Sequence, residues 1–370
     1  MKILQLTCHF SPNVGGVETH LEDLVNILAE KRHEVFVLTY RPLTTKVSWK
    51  IFEKRKFIQI LRIPWFPGFF YELVGTPAME FLYLLPGLFA VTPFVLLRQK
   101  SDVVHAHGLI AGFVGVLWGK ILRKRVVVST HNIYHFPKKG LYAKFVRWIF
   151  SHADAVLCLS NQSKEEVIAL SIPRENVHVF TYWIDQELFH KIPHAKRELS
   201  LPQKFTVLFV GRLVEEKGVQ VLLESAKSWN KDIVLIAVGM GPLEKFVKKV
   251  ADGIGIRYIG KVSQTKLPLY YSAAEVLIVP SIHEEGFGRV LLESLSCGTP
   301  VIAANRGGIK EAITDKVGYM LTITPENIKK AVEYCLEHRL ELEKKSKEAR
   351  LFAKKRFAQK NAETILSSYY

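Results

Sequence analysis

Two glutamates, Glu285 and Glu293, flank a glycine-aromatic-glycine turn and an apolar run in the stretch "HEEGFGRVLLES", His283 to Ser294. A carboxylate pair invites the reading of general acid and base. The same groups also accept hydrogen bonds from the hydroxyls of a ligand. Plainer readings exist, with Glu293 a solvated helix position paired with Arg289 one turn earlier and Glu285 simple loop surface. Val290, Leu291 and Leu295 oppose them, because they give the helix an inward face, so it starts beside Gly288 with its positive end toward a ligand. The two acids then address different parts of one molecule. Arg212, Lys217 and Gly218 follow the apolar run "VLFVG", and His131-Asn132 follow "VVVST". Two cations directed at a diphosphate would each form charge-assisted hydrogen bonds of about 1.5–3 kcal/mol, although a long cation in such a loop also serves simply by meeting solvent. Gly15-Gly16 precede a helical pattern, where backbone N–H groups can approach an anion; a tight turn needs glycine as well. Gly239 and Gly241, and Gly307, Gly308 and Glu311, stand in comparable places.

The elements that must hold these residues repeat. "KILQLT" is an apolar strand running into a glycine turn, followed by helical spacing at Leu21, Leu24, Val25 and Leu28 and then the strand "EVFVLTY". "FTVLFVG", "VQVLLESAKSW" and "DIVLIAVG" repeat the pattern further on. In the first half "DVVHAHG", "RVVVSTHN" and "DAVLCLS" read as further buried strands, and in the second half "IRYIG", "EVLIVPS" and "TPVIAAN". Near-continuous apolar strands alternating with helices predict two doubly wound, Rossmann-like α/β domains. Ligands of such sheets sit outside the carboxyl ends of the strands, so two domains of this kind predict a cleft lined by strand-end loops. The expected boundaries are an N-terminal acceptor-side domain over 1–192, a linker over 193–203 where "PHAKRELSLPQK" loses periodicity, a donor-binding domain over 204–350, and a C-terminal helix over 351–370 that crosses back.

The 370 residues carry 51 Lys and Arg against 35 Asp and Glu, a net charge of +16 that should attract an anionic partner. Cys8, Cys158, Cys297 and Cys335 form no C-x-x-C pair and suggest a reducing compartment. The N-terminus reads as a strand rather than a leader. The uncharged run Phe81 to Leu97, interrupted by Pro86 and Pro93, reaches only about 25 Å as a helix and reads as buried or interfacial rather than membrane-spanning.

"PSIHEEGFGRVLLESLSCGTPVIA" resembles the E-x7-E signature of retaining glycosyltransferases of family four, which have the GT-B fold. "SPNVGGVETHLEDLVNILAEKRHEVFVLT", "DVVHAHG" and "VLFVGRLVEEKGVQVLLES" look like three further segments of that family in the same order, so the resemblance runs nearly end to end. It implies that Arg212 and Lys217 bind the diphosphate of a UDP- or GDP-hexose, with the Gly15-Gly16 loop closing on it. Glu293 would hold the ribose and Glu285 the transferred sugar. Backbone N–H groups around Gly286, Phe287, Gly288 and Arg289 would meet sugar or phosphate, Lys261-Val262 would hold the base through the main chain, and His131 would hydrogen-bond beside the reacting carbon. The implied chemistry is front-face displacement, in which the departing diphosphate helps deprotonate the acceptor. No D-x-D pair is present to hold a metal on the diphosphate, so no metal is expected and the two cations supply the charge. The chain departs from the family pattern at Tyr182-Trp183-Ile184-Asp185, at Lys310 and at Arg32.

The acceptor is less legible. Lys46, Lys50, Lys54, Arg55, Lys56 and Arg62 interleave with Trp49, Phe52, Phe57, Trp65, Phe66, Phe69 and Phe70. Six basic residues near an anionic leaflet supply at most about 6 kcal/mol. The family that the chain resembles often glycosylates lipid-linked acceptors, so the resemblance implies a lipid-linked or saccharide acceptor, and with Phe81 to Leu97 following directly a peripheral place on the inner face of the cell membrane is expected; the competing reading is a loop and helix with core aromatics and solvated lysines. No RNP or helix-turn-helix pattern supports a nucleic-acid partner, no full G-x-G-x-x-G supports a nicotinamide enzyme, and a GT-B epimerase would not be expected to combine Arg212, Lys217 and the E-x7-E pair.

Overall fold

The computed structural model describes residues 1–13, 15–67, 71, 76–254 and 256–370. Val14 of the first glycine loop, and Phe69 and Phe70 of the aromatic-basic stretch, lie outside the described residues. The chain forms two compact units, Met1–Thr181 with Asn361–Tyr370, and Tyr182–Lys360.

The first unit is built on an eight-stranded sheet among the described residues. It comprises β1 (Lys2–Thr7), β2 (Glu34–Tyr40), β3 (Phe52–Arg55), β4 (Ile58–Ile63), β5 (Val103–His107), β6 (Arg125–Thr130), β7 (Ala155–Cys158) and β8 (Val177–Val179), in the order β3-β4-β2-β1-β5-β6-β7-β8. All pairings are parallel except the β3–β4 hairpin. The chain leaves β1 to one side and returns to its other side at β5, which makes the carboxyl ends of β1 and β5 a switch point. Leu4, Leu6, Val104, Ala106, Val126 and Val128 pack into one core with Val114 and Val116 of helix Gly108–Ile121.

The second unit carries β9 (Phe205–Val210), β10 (Ile233–Val238), β11 (Arg257–Gly260), β12 (Val276–Val279), β13 (Val301–Ala304) and β14 (Gly318–Leu321), all parallel, in the order β11-β10-β9-β12-β13-β14. Its switch point lies between β9 and β12. The near-continuous apolar runs that marked these strands in the sequence are buried throughout β9, β12 and β13, apart from a partly exposed Val210.

Three expectations are revised. Residues 52–63 form the β3–β4 hairpin at the end of the sheet, where the competing reading had a loop and helix: Ile58, Ile60 and Ile63 are buried as β4 pairs with β2. Arg62 is only 2% exposed, bonded to the Ser11 and Lys50 carbonyls and paired with Glu53 at 3.1 Å, so it is not a surface cation. The units divide at Thr181–Tyr182, and residues 193–203 belong to the second one, where Ala195 is buried and Lys196 bonds Glu275 at 2.7 Å. That segment includes a four-residue helix, Ala195–Glu198, too short to show a period. The return to the first unit falls at Asn361, later than 351, and places helix Ala362–Ser367 there.

The apolar run belongs to a longer helix, Pro77–Gln99, with both prolines inside it. It is long and apolar enough to cross a membrane by length and composition, yet Leu84, Leu88, Val95 and Leu96 are buried in the core of the first unit. Pro86 removes a backbone N–H, and nearby the Tyr40 hydroxyl donates to the Leu84 carbonyl and accepts from the Leu88 amide at 2.9 Å. The helix is thereby tied to β2 as a covering layer of the sheet.

Candidate active site

In the second unit the loops that follow β9, β10, β12 and β13 interlock at the carboxyl end of the sheet. The loop after β9 carries Arg212 and Lys217. Gly218 closes it with φ 67°, and a β-carbon there would overlap the Pro280 carbonyl, so the backbone of this loop lies against the backbone after β12. Ile282 donates to the Glu216 carbonyl at 3.0 Å across the same junction. On the other side, the Gly308 amide donates to the Glu285 carbonyl at 2.9 Å, and a β-carbon on Gly308 would overlap the Gly286 carbonyl. The turn bearing Glu285 is thus held from both sides by backbone contacts that only glycine permits.

Within that frame Glu285 meets Lys217, Nζ to Oε1, at 2.8 Å, and the Ser281 hydroxyl donates to the same oxygen. Its Oε2 lies on the side of Gly288, 3.5 Å from where a β-carbon there would stand. Gly288, at φ 76°, caps helix Arg289–Ser296. Arg212 is exposed, and no side-chain partner engages it among the described residues. Lys261 is exposed and Val262 half-buried just beyond β11, where the Gly260 carbonyl accepts from Gly239 at 2.8 Å. Phe287 is buried, its ring edge-on to Tyr182 and Phe357.

Glu293 is not a solvated helix position. It is 5% exposed, accepts from the Tyr271 hydroxyl at 2.7 Å and pairs with Arg289 at 3.3 Å. Burial, with the carboxylate beside it, pushes the Tyr271 hydroxyl well above its ordinary range, and the same two causes raise the Cys297 thiol to about 12. The departing segment Tyr182-Trp183-Ile184-Asp185 is likewise structural in this unit: the first three are buried, and Asp185 accepts from the amides of Glu187 and Leu188.

In the first unit His131 follows β6 and is 6% exposed, and burial lowers it from 6.5 to about 4. Its Nε2 lies 3.1 Å from His107 Nδ1. His105 and His107 sit two apart on β5, on one face of the sheet, with Gln5 on β1 and Ser129 on β6 beside them. Burial, reinforced by the neighbouring histidines, holds both well below the usual imidazole range. Tyr369 reaches this face from the C-terminal segment and bonds His105 and Gln5. Gly15, extended at φ 179°, precedes helix Gly16–Glu30. The His-x-His spacing of "DVVHAHG" was a visible signal for the buried pair; Tyr369, Tyr271 and Ser281 carried none. Among the described residues no group of three or more His, Cys, Asp or Glu side chains comes together to hold a metal ion.

A family model described as Glycosyltransferase Family 4 matches residues 14–188, and one described as Glycosyl transferases group 1 matches residues 191–355. The chain is 24% identical over 333 residues to the phosphatidylinositol N-acetylglucosaminyltransferase GPI3 subunit of Saccharomyces cerevisiae, covering 85% of this chain and 70% of that one. Among solved structures it is similar to sucrose-phosphate synthase from Thermosynechococcus elongatus, with TM-score 0.84, 21% identity, and coverage of 100% of this chain and 98% of that one. It is also similar to HepE from Anabaena in complex with UDP-glucose, with TM-score 0.76, 22% identity, and coverage of 99% and 100%. Two Rossmann-like sheets of this order, matched in turn by the two family models over nearly the whole chain, show that the protein belongs to the family-four, group 1 glycosyltransferases and has the GT-B fold.

Proposed function

We propose that the protein is a retaining, metal-independent hexosyltransferase that moves a hexose from a nucleotide diphosphate sugar to a hydroxyl of a lipid-linked or glycan acceptor. The observation that carries this reading is the meeting of Lys217, Glu285 and the Gly286–Gly288 turn at the switch point between β9 and β12. Arg212 and Lys217 are assigned to the diphosphate, where fixed cations stabilise the charge that builds up on the leaving group. Glu285 is assigned to the hexose, through Oε2, since Oε1 is held by Ser281 and Lys217. Glu293 is assigned to the ribose, its carboxylate held in place by the Tyr271 hydroxyl and Arg289. The amides of Phe287, Gly288 and Arg289 and of Gly15 and Gly16 are assigned to phosphate or sugar, Lys261 and Val262 to the base, and His131 to a hydrogen bond with the transferred sugar. The acceptor oxygen attacks the anomeric carbon from the face that the diphosphate leaves, and a diphosphate oxygen takes the acceptor proton. The UDP-glucose bound by HepE supports a uridine donor, with GDP-hexose as the alternative.

We assign the protein a peripheral place on the cytoplasmic face of the cell membrane. Arg62 is buried, and Arg55 is paired with Glu22 and Glu53, which leaves Lys46, Lys50, Lys54 and Lys56 exposed and lowers the electrostatic ceiling to about 4 kcal/mol. The apolar part is supported by helix Pro77–Gln99, whose Leu82, Phe94 and Leu97 are 71%, 73% and 62% exposed along one stripe. The phosphatidylinositol acceptor in the name of the yeast relative accords with a lipid acceptor.

Incubation with UDP- and GDP-hexoses in EDTA, with the product anomer read by NMR, tests the reading. Transfer should persist and the donor configuration be kept. Activity lost in EDTA and restored by Mn²⁺ or Mg²⁺, or an inverted product, would overturn it.

A further inference from the structure

Six buried polar side chains of the first unit form one unbroken hydrogen-bonded chain that none of the assigned roles accounts for. It runs from Ser129 Oγ to His105 Nε2 at 2.6 Å, from His105 Nδ1 to the Tyr369 hydroxyl at 2.7 Å, and from that hydroxyl to Gln5 Nε2 at 3.2 Å. It continues from Gln5 Oε1 to His107 Nε2 at 2.7 Å and from His107 Nδ1 to His131 Nε2 at 3.1 Å. All six are nine-tenths or more buried.

Each neutral imidazole has one donor and one acceptor nitrogen, and burial keeps these histidines neutral near pH 7. Proton positions along the chain are therefore coupled. Gln5 Oε1 can only accept, so His107 carries its proton on Nε2 and accepts at Nδ1. His131 must then donate from Nε2, which leaves Nδ1 as its acceptor nitrogen. At the other end, Gln5 Nε2 donates to the Tyr369 oxygen, so the Tyr369 hydroxyl donates to His105 Nδ1 and His105 donates from Nε2 to Ser129. Turning the Gln5 amide over would reverse every bond, with Tyr369 donating to Gln5 and His131 accepting at Nε2. The sense of the chain is thus set by which way the Gln5 amide faces, and in the structure its Nε2 faces the Tyr369 oxygen, the acceptor that holds it there.

We propose that Tyr369 is a positioning residue which, through Gln5 and His107, fixes the tautomer of His131 with its proton on Nε2. Its consequence for catalysis rests on the role assigned to His131 above, because a hydrogen bond from or to a substrate requires one particular nitrogen to carry the proton.

The test is ¹⁵N–¹H correlation NMR of the histidine rings in the full chain at pH 7.5, in wild type and in Tyr369→Phe. The wild-type His131 ring should show a protonated Nε2. In Tyr369→Phe the Gln5 amide loses its acceptor, and the His131 ring should become a mixture of tautomers or change to Nδ1–H. Ser129→Ala, which acts on the same chain from its other end, provides a second perturbation should Tyr369→Phe fold poorly, and should also shift the mixture. Glu363→Gln, in the same C-terminal segment but outside the chain, should leave the ring unchanged. An unaltered His131 pattern in both Tyr369→Phe and Ser129→Ala would overturn the proposal. Turnover separates the two readings: if the tautomer shifts, kcat should fall roughly tenfold or more with donor affinity kept, as outer contacts to a functional histidine commonly do. A shifted tautomer with unchanged kcat would leave the positioning assignment standing and remove His131 from the reaction.

Discussion

Lys217 and Glu285 hold each other at 2.8 Å with their side chains 29% and 14% exposed, so their attraction adds little to folding while it fixes two ligand-directed groups. Lys217→Ala should therefore leave the melting temperature within a few degrees and lower kcat/KM about a hundredfold, near 3 kcal/mol of transition-state stabilisation. Steady-state kinetics beside a melting curve would show it, and an equal loss of both would mark Lys217 as structural. Glu293 should behave in the opposite way. Removing its carboxylate takes the buried ion-pair partner from Arg289 and the acceptor from the Tyr271 hydroxyl, so Glu293→Ala should cost about 3–5 kcal/mol in urea unfolding. At this scale the sequence displayed the cations, the acids and the glycines, because their types and their places after apolar runs carry the chemistry. It could not display Tyr271 or Tyr369, whose roles come from chain crossings far away in sequence.

The loops act as elements because backbone lies on backbone. Gly308→Ala places a β-carbon into the Gly286 carbonyl, and unlike a clash with a flexible side chain this can be relieved only by moving the Glu285 turn. A loss of about 1–3 kcal/mol is expected, together with weaker donor binding. Calorimetry that finds full stability and affinity in Gly308→Ala would show that the turn is not held this way. Strand-helix alternation made most of the two sheets legible, since parallel strands buried on both faces are written as unbroken apolar runs. The β3–β4 hairpin was not, because its exposed edge mixes Phe52, Lys54 and Arg55 with the partly buried Glu53 and looks like a charged loop. The break at Thr181–Tyr182 was hidden for a related reason: Tyr182, Trp183 and Ile184 are apolar and buried, giving no loss of pattern at the boundary.

For the whole molecule, the buried neutral histidines imply acid sensitivity. His131 titrates near 4 when folded and near 6.5 when unfolded, so the unfolded chain binds the extra proton between those values. Its contribution is complete above pH 6.5 and is lost as pH falls toward 4, by roughly 3 kcal/mol, with His105 and His107 acting in the same direction. Melting temperatures from pH 7.5 to 4.5 should fall steeply, and a flat profile would contradict neutral burial. On membranes, vesicle co-sedimentation should rise with anionic lipid and drop several-fold in Leu82→Asp with Phe94→Asp; indifference to both would remove the membrane assignment. The central claim, a nucleotide-sugar site built on Arg212, Lys217 and Glu285, is tested most directly by thermal shift with UDP-, GDP- and ADP-hexoses. One nucleotide at about a hundred times its Kd should raise the melting temperature by roughly 5–10 °C, and Arg212→Ala with Lys217→Ala should abolish the rise. No shift with any nucleotide sugar, or a shift that survives the double variant, would contradict the account.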